Sequence, residues 1–314
     1  MDRLSYVLRR LLYLVPVAIG VTILVFFMVH MIPGDPARTM LGTRATSQQV
    51  AALHHQWGLD RPLYAQYGLF MDRLFHGNLG QSFYYREPAM NLVLARLPAT
   101  LWLLVYGTVL AVIISVPLAV LAASKKDAIR DQTVRVVPLL GLGMPSFWIG
   151  IMLVLLLALR VKIFPVGGFG SGFLGHLHSM FLPSLTIAIV ISPILIRSLR
   201  AGLLNVLSSD YVTTARSKGV PEWRVMARHA LPNAAISTVT ILGVNIAFLV
   251  GNTLVVEKVF AIPGVGQLMI DSIFNRDFAV VQAVTLVFAV IVVLVNLLTD
   301  VAYSLLDPRV VFDS

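Results

Sequence analysis

Residues 99–123, ATLWLLVYGTVLAVIISVPLAVLAA, run for 25 positions without a charged side chain. About 20 largely apolar residues let a helix cross the hydrocarbon core of a bilayer. Inside that core each backbone N–H and C=O must find its partner within the segment, as an α-helix allows. The stretch therefore reads as a membrane-spanning helix and sets the fold class: all-α, a polytopic membrane helix bundle.

Working outward, five more stretches of this kind occur: Leu11–Ile32, Val136–Leu159, Met180–Ile196, Ile236–Val256 and Phe278–Thr299. About six transmembrane helices are predicted. The fourth in chain order, Met180–Ile196, is short and can run on past Arg197 as one longer helix. Composition agrees: residues of the AVILMFWYC set make up 58% and charged residues 12%, where a soluble domain carries about 25% charge. Cysteine is absent, which removes disulfides, thiolate metal sites and cysteine nucleophiles and says nothing about redox compartment. There is no low-complexity tract and no solenoid period.

The formal net charge is +9, but in a membrane chain the placement of Lys and Arg matters more than their sum. The partner it implies is a lipid bilayer, not nucleic acid. With the N-terminus inside, segments 1–10, 124–135, 197–235 and 306–314 carry 14 of the 24 Lys and Arg at about twice the density of the outer segments. Both termini are predicted to be cytoplasmic. The first stretch follows Arg9-Arg10, is longer than the apolar core of a secretory signal, and precedes no small-x-small cleavage site. It reads as an uncleaved anchor.

The expected organisation is a tail and first span over 1–32, an extracytoplasmic insertion over 33–98, a transmembrane core over 99–306, and a cytoplasmic tail over 307–314. In the insertion, Thr46 and Gln49 have capping-box spacing ahead of Val50, Leu53, Trp57 and Gly58. Asp60 and Pro62 open a second helical pattern, Leu63, Tyr67, Phe70 and Leu74, with Gly77 past its end. A small helical cap is predicted; a loop tied down by a few aromatics is the bland reading.

No span interior holds Asp, Glu, Lys or Arg, and His30 sits at an outer edge. Self-powered transporters usually bury such groups because they carry the coupling charge. Asp300, near the inner end of the last span, reads as an interfacial structural residue. The second span places Gly107, Ala111, Ser115, Ala119 and Ala123 at every fourth position, a pattern that lets helices approach closely in lipid. Pro16, Pro117, Pro138, Pro145 and Pro193 each free a backbone carbonyl inside a span, which suits either a lined cavity or plain bent packing. Asn245, Asn252, Gln282 and Asn296 are polar span residues that should face protein or water, and are candidates for lining a pathway.

Segment 197–235 does not read as a mere tether. Asp210 is placed as an N-cap, Tyr211–Lys218 as a two-turn helix, and Gly219 stands in the preferred position after a C-terminus. Pro221 and Glu222 start a second helical run, with Trp223, Val225, Met226 and Leu231 mostly apolar, closed by Pro232. Arg216, Lys218, Arg224 and Arg228 make this a basic knob. A patch for anionic lipid would explain the charge. It would not explain the Gly and Pro placement.

The segment resembles the cytoplasmic motif of ABC importer permeases: Glu-Ala-Ala, three residues, Gly, nine residues, Ile, one residue, Leu-Pro. This chain has Thr213-Thr214-Ala215, Gly219, His229 and Leu231-Pro232 at that spacing, so the Glu, the first Ala and the Ile are replaced. DYVTTARSKG, residues 210–219, is similar to the peptide-importer branch. So are RRLLYLVPVAIGV and FFMVHMIPGDP near the N-terminus, GLDRPLYAQY, GNLGQS, RLPATLWL, PSFWIGIML, EKVFAIPGVGQLMIDSIFNRDFAVVQ and the terminal LLDPR. The chain most resembles the first of the two permeases of dipeptide, oligopeptide or nickel importers. The resemblance implies a type I ABC importer fold, a second similar permease, two ATPase subunits and an extracytoplasmic solute-binding protein. Asp210 to Arg228 would be the segment seated on an ATPase. No GxxxxGK[ST] loop occurs, so this chain would bind no cofactor, and ATP and Mg would be used by the partners. The binding protein would dock on loops 33–98 and 257–277, where Asp35, Asp60, Glu257, Asp271 and Asp277 offer contact points.

Two other classes stay in view. A secondary transporter needs intramembrane ionisable groups or paired broken helices. A membrane enzyme would draw on His54-His55 and His176-x-His178, which read as surface histidines, so no metal site is expected. A purely structural anchor would not need so many span-breaking prolines. Cargo stays open among dipeptides, longer peptides, glutathione, haem and nickel complexes.

Overall fold

The computed structural model describes residues 3–31, 36–42 and 45–306. Asp35, the last residues of LLDPR and the tail 307–314 lie outside the described residues. Helices are α1 (Arg3–Met31), α2 (Pro36–Leu41), α3 (Ser47–Trp57), α4 (Leu63–Phe75), α5 (Ala89–Ser124), α6 (Ile129–Gly143) and α7 (Ser146–Leu153). They continue as α8 (Gly172–Leu207), α9 (Asp210–Ser217), α10 (Glu222–Arg224), α11 (Leu231–Val259), α12 (Val265–Phe274) and α13 (Phe278–Leu306). Wide π turns extend α7 through Val154–Arg160 and bridge α10 to α11 through Val225–Ala230. Among the described residues, strand-like pairing is confined to one antiparallel bridge, Gln81 with Pro88.

Among the described residues, four helices are long and apolar enough to cross a membrane: α5, α8, the continuous run Glu222–Val259, and α13. The fourth expected span does run on past Arg197, to Leu207. The first corresponds to α1, 29 residues long, whose described apolar side chains run Val15–Phe27. The third is corrected: Val136–Leu159 is not one straight helix but α6 and α7, bent by 102°. The break falls at Pro145, whose ring disfavours the helical conformation at Met144. Met144 is extended at φ −104, ψ 133, and Pro145 becomes the N-cap of α7. Pro16, Pro138 and Pro193 stay inside unbroken helices.

The chain divides into two compact units, one of residues 99–262 with 292 onward, the other of residues up to 98 with 263–291. The second unit is built on a cluster in which Phe26 of α1, Phe70 of α4, Val265 and Leu268 of α12, and Val280 and Val284 of α13 are buried. Its two small helices form as the spacing dictates. Thr46 and Gln49 make a reciprocal capping box, and Gly58 closes α3 in the left-handed region at φ 72. Tyr67 on α4 shares a 2.8 Å hydrogen bond with Thr22 on α1, and its ring meets Phe26 edge-on. The cap reading therefore holds over the bland one.

The first unit is organised around α8, whose most apolar window is 72% buried against 28–39% for the other three long helices. Neighbours reach it through small residues, because in lipid close van der Waals contact replaces the hydrophobic drive. A Cβ on Gly107 of α5 would lie 2.9 Å from Ile187 Cγ2, and one on Gly202 of α8 would lie 3.0 Å from the Ala234 carbonyl oxygen of α11. Further along α5, Ala111 is fully buried and the Ser115 hydroxyl donates to Ser192 O at 3.4 Å. Ala119 and Ala123 pack with Leu199, Leu203, Ala230 and Ala234.

Candidate functional site

The structure builds segment 197–235 as an elbow between two long helices. α8 ends at Leu207, and Ser209, extended at φ −80 and ψ 153, occupies the N-cap of α9. Asp210 is therefore the first helical residue and not the cap; there its carboxylate still favours the positive end of the helix dipole. Thr214 and Ser217 turn their hydroxyls back to carbonyls four residues earlier, at 2.9 and 3.0 Å. Val212 faces inward and is fully buried, Ala215 is half-buried, and Asp210, Tyr211 and Lys218 are exposed.

Gly219 ends α9 in the expected way. At φ 76 it lies in the left-handed region, its N–H donates to Arg216 O at 2.9 Å, and Val220 N donates to Ala215 O at 3.2 Å. This reciprocal pair is the Schellman closure, which satisfies two orphan carbonyls and fixes the turn. Pro221 then presets the entry to α10 at φ −65. Across the turn, Arg216 donates to Glu222 through Nε at 2.7 Å and Nη2 at 3.1 Å, and its Nη1 reaches Leu207 O at 3.4 Å. One guanidinium thus ties the end of α8, α9 and the start of α10 together.

The bond from Arg216 holds the Glu222 carboxyl below the ordinary glutamate range. A depressed carboxyl stabilises the folded state above its unfolded value and loses that contribution as pH falls through the folded one. The staple is therefore intact at neutral pH. Both partners are substantially exposed, so salt weakens it, and its worth is about 0–1 kcal/mol. Arg216→Ala is expected to speed amide exchange across 216–224. Unchanged exchange there would show that the turn holds without it.

Pro232 does not close the second helical run, contrary to expectation. The π turn Val225–Ala230 passes straight into α11, with Pro232 in its first turn. A wide turn absorbs both the ring and the missing donor. Asn233 helps, donating through Nδ2 to His229 O at 2.7 Å and to Tyr211 Oη at 3.3 Å, which links α11 to α9. Leu231 is half-buried, Pro232 and Arg228 are exposed, and Arg224 lies over the exposed Trp223 ring at 5.2 Å. Beside the elbow runs a groove of about 820 Å³, walled by Val120, Leu204, Leu207 and Met226, with Trp223 and Lys126 along it.

The pathway candidates are dispersed. Asn245 is half-buried and spends its amide on Ile241 O at 2.7 Å, while Asn252 and Asn296 are exposed. Gln282 belongs to the other unit, where it lines a cavity of about 140 Å³ with His30 and Gln66. Two proposed outer contact points are corrected. Glu257 is fully buried and accepts from Thr100 at 2.7 Å, and Asp277 is fully buried and accepts from Ser82. Asp60 is reachable but held by His55 at 2.7 Å. His176 and His178 are each tied to loop carbonyls, of Phe169 and Ile163, at 2.8 Å. Among the described residues no group of three metal-ligating side chains forms.

Sequence reasoning missed one charged pair altogether. Arg200 on α8 meets Asp131 on α6 through two bonds, Nε to Oδ1 and Nη2 to Oδ2, each 2.5 Å. The partners are 69 residues apart, so no local pattern announces them.

Comparison with known proteins bears on the whole chain. Residues 115–312 match the family "Binding-protein-dependent transport system inner membrane component", and residues 3–104 match "Binding-prot-dependent transport system membrane comp, N-term". The chain is 36% identical over 312 residues to the oligopeptide transport system permease protein AppB of Bacillus subtilis, covering 98% of this chain and 99% of that one. It is 38% identical over 307 residues to the glutathione transport system permease protein GsiC of Escherichia coli K12, again covering 98% and 99%. Among solved structures, a chain of the MetNI methionine ABC transporter superposes with a TM-score of 0.57 at 17% identity, covering 69% of this chain and 96% of that chain.

Proposed function

The chain belongs to the family of binding-protein-dependent transport system inner membrane components and is an ABC importer permease, and from that premise we propose that it carries small peptides inward. It is a multi-pass membrane subunit and not an enzyme by itself. The reading places it in a prokaryotic inner membrane with both termini cytoplasmic. There it pairs with a second similar permease, two ATPase subunits that use ATP and Mg, and an extracytoplasmic binding protein.

The observation that carries the reading is the closed elbow at Gly219, stapled by Arg216 and joined without a break to α11. ATP binding can only shift an equilibrium between states that differ in affinity for it. A rigid knob gives the ATPases such a difference, because their closure displaces the helices attached to it. A floppy loop would absorb the movement. In this reading Asp210, Tyr211, Thr214, Lys218, Arg224 and Arg228 offer contact to the ATPase, Ala215 packs beneath, and Arg216, Gly219, Glu222, Leu231 and Pro232 fix the elbow's shape. Peptide is the cargo class shared by the AppB and GsiC names, since glutathione is itself a tripeptide.

The test is purification of the tagged chain from its native membrane, followed by reconstitution into sealed vesicles with the captured partners and binding protein. An ATPase should co-purify, and labelled di- or oligopeptide should enter only with ATP. Uptake by this polypeptide alone, without ATP, would falsify the importer reading. Uptake of nickel or haem in place of peptide would overturn the cargo class alone.

A further inference from the structure

We propose that Asp131 and Arg200 are positioning residues that weld α6 to α8, so that movement of the elbow is delivered as one lever to the break at Met144–Pro145. The proposal rests on the coupling role of the elbow and names the route its movement takes.

The weld has two points. At one, Arg200 grips Asp131 with both nitrogen arms at 2.5 Å. Asp131 is fully buried and the Arg200 side chain is 14% exposed, so water does not compete for the bond. Asp131 Oδ2 also accepts Asp127 N at 3.0 Å, and Asp127 stands at φ 62, in the left-handed region that an aspartate tolerates. The carboxylate therefore fixes the turn that leads into α6 as well as the helix itself. At the other point, a Cβ on Gly141 would lie 3.0 Å from the Ile189 carbonyl oxygen, so the two backbones touch. From 131 to 141 and from 200 back to 189 the helices advance about 15 and 17 Å, at 1.5 Å per residue. Two matched contacts that far apart hold antiparallel helices against both sliding and splaying.

The lever's ends are equally defined. α8 leads directly into the elbow, whose Arg216 binds Leu207 O. α6 stops at the 102° bend, beyond which Gly150 of α7 packs its backbone on the Phe260 ring at the end of α11. Movement of α8 thus takes α6 with it, and the extended Met144 is where that lever ends. A buried ion pair is a poor source of stability compared with apolar packing but is specific in geometry. That is the property a weld needs.

The absence of cysteine makes the test direct. Exposed Ile129 and Asn205 are replaced as Ile129→Cys and Asn205→Cys, spin-labelled, and the distance is read in the assembled complex with and without trapped ATP. One narrow distance, the same in both nucleotide states, is expected. Asp131→Asn should broaden it and lower peptide carried per ATP at least fivefold while ATPase co-purification persists. The swap Asp131→Arg with Arg200→Asp should recover at least half of that ratio, which general misfolding would not. A native distance that changes with nucleotide overturns the weld. So does an Asp131→Asn complex with an unchanged distance and transport ratio. If Asp131→Asn fails to assemble, the native label pair decides alone. A native complex that transports peptide without ATP overturns the importer reading, and the label distance still judges the weld separately.

Discussion

Gly219→Leu is expected to lower ATP hydrolysis stimulated by loaded binding protein about tenfold, while the ATPase subunits still co-purify in part. The effect comes from the backbone alone. A Cβ at Gly219 would meet no atom within 4 Å, so no collision opposes the new side chain. The residue stands at φ 76, however, where an L-residue other than Asn or Asp costs roughly 1–2 kcal/mol. Relief of that strain opens the Schellman pair, Gly219 N to Arg216 O and Val220 N to Ala215 O, and lets Pro221 swing away from α9. The Arg216–Glu222 staple spans the same turn and weakens with it. About 1.4 kcal/mol corresponds to tenfold in the population of the closed elbow. Gly219→Asn is the control, because Asn tolerates the left-handed region, and it should keep most of the stimulated rate. Equal loss in the Leu and Asn variants would mean that the glycine matters for contact and not for turn geometry. Full retention in both would remove the elbow from the coupling route.

The sequence disclosed what is local. The Thr46–Gln49 capping box and the glycine stops at 58 and 219 each depend on residues within a few positions, and the structure forms all of them. Proline was the least legible signal. Pro138, Pro145 and Pro193 all looked like breakers, yet only Pro145 ends a helix, because there Met144 leaves the helical conformation entirely. Pro232 was misread for a related reason: a π turn is a property of the hydrogen-bond ladder and has no letter code. Charge at the span ends was the other gap. Thr100 with Glu257 and Ser82 with Asp277 close over 157 and 195 residues, so acids that look like loop contacts prove to be buried fasteners. Their partners become visible only once helices far apart in sequence are packed together.

A large loss of stability is expected from Gly243→Ala, a single methyl group on α11. Its Cβ would fall 2.1 Å from Thr299 Oγ1, 2.4 Å from Cγ2 and 2.7 Å from Cβ of α13. Turning the Thr299 side chain cannot relieve this, because its Cβ, which no rotamer moves, is already too close. Its hydroxyl is moreover held on Val295 O at 2.8 Å. The helices must separate instead, and overpacking of this kind costs about 1–3 kcal/mol. Separation also forfeits the close contact on which helix association in lipid depends. The distances order the rescues. Thr299→Ala removes the two nearest atoms but leaves the 2.7 Å contact, so Gly243→Ala with Thr299→Ala should recover only part of the unfolding temperature in detergent. Thr299→Gly removes the last contact, and its double variant should approach the native value, because the helical glycine gained at 299 is offset by the one removed at 243. If both doubles melt alike, or Gly243→Ala melts with the native protein, α11 and α13 do not meet as closely as the structure places them.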